Sequence, residues 1–190
     1  WRGGEGSVLK KLLLSLLLFT GAAFAVPESP DQFKKIEDEF RLACDTYGES
    51  SCLSRLTAMS ACTYILSLNA GNSIKKSLNV ADSLFAAMMK GNRLKIESMF
   101  DESGKIKKSI KDETVSRIKF CEKEIKTAMP IMLRNASGGQ DPPEELIQYA
   151  ANDFPYYWLR SYEDIRKGRW FDPFFTYGWV LINLLLSLIH

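Results

Sequence analysis

Four cysteines, Cys44, Cys52, Cys62 and Cys121, are the residues of this chain best suited to covalent chemistry. Thiols can pair, hold a metal or attack as nucleophiles, and each use needs different company. A zinc site wants closely spaced cysteines or histidines, yet the chain has no Cys-x-x-Cys pair and its only histidine is His190 at the very end. A catalytic thiolate wants a histidine-type base, which the same deficit removes. Histidine triads, histidine-ligated haem and histidine acid–base catalysis go with it. No metal or cofactor is expected.

Pairing remains, and an even count in a chain with an export signal makes disulfides the expected state. Helix geometry ranks the pairings. If Gly48 centres an antiparallel hairpin, Cys44 and Cys52 lie four residues to either side and face each other. Cys52 and Cys62 stand ten residues apart on one expected helix, roughly 15 Å along its axis, too far to bond. Cys44 and Cys62 suffer a similar offset. That leaves Cys44–Cys52 and Cys62–Cys121, with all other groupings disfavoured.

Carboxylates are the other source of chemistry. The stretch Glu97-Ser98-Met99-Phe100 resembles the Glu-Ser-x-Phe stretch of lytic transglycosylases, which implies a single-glutamate acid at Glu97. The Gly-Leu-Met-Gln-like segment of those enzymes has no counterpart here. A solvent-facing glutamate at a helix end is the simpler reading. Val80 to Gly91, "VADSLFAAMMKG", resembles the Ala-Asp-x-x-Leu helix of small helical, cysteine-bridged periplasmic lysozyme inhibitors. That resemblance covers one helix, with Phe85 where those proteins have Asn, and it implies a binding function. The six methionines read as core filler.

The elements that must position these residues are helical throughout. Ser29-Pro30 forms an N-cap and first helical residue, followed by an apolar face of Phe33, Ile36, Phe40, Ala43 and Tyr47. A second helix from about Ser51 carries Leu53, Leu56, Met59, Cys62 or Thr63, and Leu66, ending near Asn69. A third carries Ile74, Leu78, Ala81, Phe85 and Met88 and stops at Gly91-Asn92. After a turn at Asp101 to Lys105, a fourth carries Ile106, Ile110, Thr114, Arg117 or Ile118, Cys121, Ile125 and Ala128, with Pro130 expected to kink or end it. No strand alternation is visible, so the fold class is all-α: a disulfide-linked helical bundle of about four helices.

The ends carry an address. Residues 1–7 fit no signal and read as a translated leader. Lys10 and Lys11, an apolar run from Leu12 to Phe19, and Ala23-Phe24-Ala25 before Val26 form a secretory signal peptide over residues 8–25, cleaved between Ala25 and Val26. The helical disulfide domain is then 26–135 and a Gly- and Pro-rich linker 136–143. An aromatic-rich juxtamembrane segment, 144–171, follows. The closing stretch 172–190, eighteen residues of helix from Pro173 or roughly 27 Å, is expected to span a membrane, a buried helix being the alternative. Trp170, Phe171, Phe174, Phe175, Tyr177 and Trp179 would form its interfacial belt.

The whole chain has 25 basic and 23 acidic residues. Without the leader and signal peptide 22 of each remain, a balance that argues against a nucleic-acid partner. The charge is uneven: Lys105 to Lys126 holds eight basic and four acidic residues, and Glu28 to Glu49 seven acidic and three basic. The reading is a non-enzymatic exported envelope protein, a periplasmic module at the inner membrane that binds another envelope protein or itself. A soluble inhibitor of the lysozyme-inhibitor type, or a small cell-wall hydrolase using a carboxylate, is the alternative.

Overall fold

The computed structural model describes residues 38, 40–42 and 44–166, which contain helices and turns and no strand. Five α-helices follow a helical stretch ending at residue 47: α1 (Glu49–Asn69), α2 (Ile74–Gly91), α3 (Lys108–Ile118), α4 (Glu122–Ala136) and α5 (Glu144–Arg166). Short 3-10 turns, Ile96–Met99 and Lys119–Cys121, precede the Asp101–Lys105 turn and link α3 to α4. The expected signal peptide with Ala23, Ala25 and Val26, and the expected belt of Trp170, Phe171, Phe174, Phe175, Tyr177 and Trp179, lie outside the described residues. No helix among the described residues is long and apolar enough to cross a membrane.

Helix α1 is the axle of the bundle. A one-sided stripe was the expectation, but fifteen of its residues are buried, on every side of the helix, and Leu66 from that stripe is only half-buried. The reason lies in its small polar residues. Ser54 and Thr57 return their hydroxyls to the carbonyls of Ser50 and Leu53 at 2.9 and 2.8 Å, so they enter the core without an unmet polar atom. Others reach neighbours that their small size lets approach: Ser60 donates to the Ala81 carbonyl of α2 at 3.3 Å, and the Ser77 hydroxyl of α2 donates to Ser67 at 3.0 Å. Thr114 of α3 donates to the Ser54 carbonyl, and Asn69 to the Glu124 carbonyl of α4. With α2, α3 and α4 all drawn onto it, α1 has no solvent face to keep polar.

Chain entry and exit around α1 depend on local geometry. Gly48 has φ 84°, a left-handed conformation that costs glycine little, and lets the chain reverse in one residue between two helical turns. Its N–H donates to Cys44 and its carbonyl accepts from Cys52. Before that turn Phe40 and Cys44 enter the core, whereas Tyr47, expected on the same face, is 64% exposed and lies beneath the Arg55 guanidinium. Helix α2 begins where the Ser73 side chain accepts from the Lys76 N–H. Its buried set of Ala81, Phe85 and Met88 matches the expected face, joined by Ser77 and Met89.

Prolines behave differently from expectation. The single helix expected over 106–128 is broken at Lys119–Cys121 instead of at Pro130, and α4 runs through Pro130 to Ala136. The 3-10 turn keeps one continuous apolar face across the break: Ile106, Ile110, Thr114, Ile118, Cys121, Ile125 and Ala128 are all buried. Pro155 likewise sits inside α5. Proline removes one hydrogen bond, and burial of Met132 and Leu133 after one proline, and of Trp158 and Leu159 after the other, outweighs that loss.

The largest departure concerns residues 144–171. Up to Arg166 this stretch is α5, a helix whose apolar face joins the core built by the helices before residue 136. Phe154, Trp158 and Tyr162 recur every four residues on one face and stack with Tyr64 of α1 and Phe85 of α2. Aromatic residues need an apolar seat, and the groove beside Tyr64 supplies one.

Candidate functional site

The cysteines make the covalent frame. Cys44 is bonded to Cys52 with 4.8 Å between Cα atoms, and Cys62 to Cys121 with 5.9 Å. The first closes the Gly48 turn; the second ties the middle of α1 to the α3–α4 junction across 59 residues of sequence. All four are buried, so no thiol chemistry is on offer. No group of three His, Cys, Asp or Glu among the described residues is placed to hold a metal ion.

The candidate acid fares plainly. Glu97 is exposed on the 3-10 turn before Phe100, and it lines neither the α4–α5 groove nor the hollow beside Phe100 and Lys107. The adjoining loop is a rigid brace. Asp101 accepts from the Ser103 hydroxyl and from the Ser103 and Lys105 N–H groups, which holds its carboxyl below the usual carboxylate range. The brace is fixed to α5, since Glu163 accepts from the Ile106 N–H at 3.0 Å and Arg166 lies 4.6 Å over the Phe100 ring.

The α2 segment resembling the inhibitor helix divides by position. Ala81 and Phe85 are core residues facing α1 and α5. Asp82 lies near Tyr162, with its carboxyl raised above the usual range by partial desolvation. Beneath it, burial pushes the Tyr64 and Tyr162 phenols well above their ordinary range. Tyr64 Oη has no hydrogen-bond partner. Its ring packs against Phe154 and Trp158.

Two charged clusters remain on the surface. In the first, Glu113 accepts from Ser51, and Arg117 donates to it through Nε and Nη2; Arg55 stands close by, made less basic by burial and by Arg117. All three bonds fall on one oxygen, Oε1, of that carboxylate. The second is an open groove of about 670 Å3 between α4 and the start of α5. Its edge carries Lys119, Lys123 and Lys126, and its apolar surface comes from Phe120, Pro130 and Ile147. Sequence reading had marked the basic stretch but not this groove, because α5 supplies the second wall.

No protein family, curated protein or solved structure matches the chain. The site is therefore read from its own chemistry.

Proposed function

We propose that this chain is a non-enzymatic, exported protein-binding or assembly module of a bacterial envelope. Two disulfides fit an oxidising extracellular or periplasmic compartment. The finer address, a periplasmic bundle held at the inner membrane by residues 172–190, rests on the signal-like N-terminus and the apolar closing stretch.

The observation that carries this reading is the pairing of a cross-linked, densely packed core with a surface groove between two of its helices. Such a body presents a fixed shape to a partner. The exposed setting of Glu97 weighs against the hydrolase alternative.

The test is expression from Val8 onward, followed by fractionation with an alkaline carbonate wash and crosslinking in intact cells. Retention in washed membranes together with a discrete crosslinked adduct is the expected result. Release into the soluble periplasm would replace the anchored module with a diffusible inhibitor or binding protein. Clearing of peptidoglycan in a zymogram, abolished by Glu97→Gln, would overturn the binding reading altogether.

A further inference from the structure

The groove between α4 and α5 distributes its charges unevenly. Four of its side chains are engaged in two pairs within their own helices, one a salt bridge and one a hydrogen bond. Lys126 is bonded to Glu122 at 2.6 Å, one turn apart on α4. Glu144, on the opposite wall, accepts from the Gln148 amide at 2.8 Å. Both carboxylates are thus occupied. Lys119 and Lys123 are exposed and four residues apart, and among the described residues neither forms a close ion pair, though Lys119 stands near enough to Glu122 to help hold that carboxyl below its usual range.

Between them sits Phe120, 66% exposed, and beyond it Pro130 and the half-buried Ile147. Pro130 adds a third element. Having no N–H, it has nothing to donate to the carbonyl of Lys126 one turn earlier, and both residues line the groove. The combination is an apolar strip, an edge on which Lys119, Lys123 and Lys126 outnumber Glu122 and Glu144, and a backbone acceptor whose proline partner has no N–H.

We infer that this groove is a docking site for an acidic, amphipathic polypeptide segment of a partner protein. Carboxylates on the segment meet Lys119 and Lys123, an apolar side chain rests on Phe120, Pro130 and Ile147, and a donor from the segment answers the Lys126 carbonyl. Charge complementarity selects this occupant over an apolar or basic one. An apolar seat beside the charges favours a polypeptide over a lipid headgroup layer, which would meet lysines spread on a flat or convex face. The inference rests on the binding reading above and names the chemistry of the partner.

The probe is a fluorescein-labelled peptide of seven glutamates flanking a central phenylalanine, titrated by anisotropy against the whole oxidised protein. Saturable binding is expected, weakening as salt rises, because exposed charges are screened. In Lys119→Glu/Lys123→Glu the affinity should fall by about tenfold or more, and Phe120→Ser should weaken it with less change in the salt response. Lys75→Glu/Lys76→Glu, the same charge change on the exposed side of α2, should bind as the parent does. Circular dichroism confirms that each variant is folded.

Equal loss in the α2 control would overturn the groove assignment, leaving only net charge. Absence of peptide binding, or binding to phosphatidylglycerol vesicles that competes with the peptide, would overturn it too. If Lys119→Glu/Lys123→Glu keeps the crosslinked adduct seen in cells, the binding reading stands and this groove is not its site.

Discussion

Tyr64 shows what a single side chain can reveal about this fold. Its ring packs against both Phe154 and Trp158, with centroids 6.5 and 5.3 Å away, while its hydroxyl is buried with no partner. An unmet buried hydroxyl costs on the order of 1–3 kcal/mol, so Tyr64→Phe should raise stability, by about 1 kcal/mol, in urea melts. A loss of stability instead would mean that the hydroxyl has a partner such as a bound water. Tyr64 and Tyr162 also predict the alkaline limit of the fold. Their folded pKa values are raised by burial, so the folded state holds these protons more tightly than the unfolded chain. The stability they contribute is complete below the unfolded value, about 10, and is lost as pH rises above it. Ultraviolet titration should therefore show two tyrosines ionising only as the helical signal collapses; smooth ionisation of all tyrosines with helix intact would refute this.

Among elements, the two cross-links differ in what they hold. Cys44–Cys52 joins residues eight apart, whereas Cys62–Cys121 joins residues 59 apart. By loop-closure entropy the short bridge is worth about 2–3 kcal/mol and the long one about 4. Replacing Cys62 and Cys121 by serine should thus lower the denaturant midpoint more than replacing Cys44 and Cys52. The reverse order would place the main strain of unfolding at the Gly48 turn. The spacing of the cysteines carried this pairing legibly, because an axial rise along a helix excludes the rival bonds without any tertiary information. Pro130 and Pro155 were less legible. Propensity argues for a break at each, yet each lies in a helix whose following turn buries large apolar side chains, and tertiary burial prevails.

At the scale of the whole molecule, α5 is part of the core, and its removal tests that claim. A chain ending at Ala136 would strip Phe154, Trp158 and Tyr162 from Tyr64 and Phe85. Losing several buried aromatic contacts, each side chain worth about 3–5 kcal/mol on truncation, exceeds the stability of an ordinary domain. That shortened chain should show no cooperative thermal transition, as read by near-ultraviolet circular dichroism. A sharp transition would restore 26–135 as an independent domain. The groove belongs to the same scale: without the start of α5, Lys119 and Lys123 are two more lysines on a solvated helix.

By itself the sequence determined the helical class, the apolar faces of α2, α3 and α4, and the two cysteine pairs, because all of these follow from spacing along the chain and the fixed rise of a helix. Tertiary structure alone decided what each face meets. An aromatic-rich helix such as α5 must be buried, and its residues read the same whether the burial is in lipid or against Tyr64. Ser54, Thr57, Ser60 and Ser67 of α1 look like a solvent-facing side until the groups that satisfy them, and the helices that close over them, are in place. What tertiary structure adds to the lysines of α4 is the second wall of the groove, since the Glu122–Lys126 pair itself follows from i,i+4 spacing.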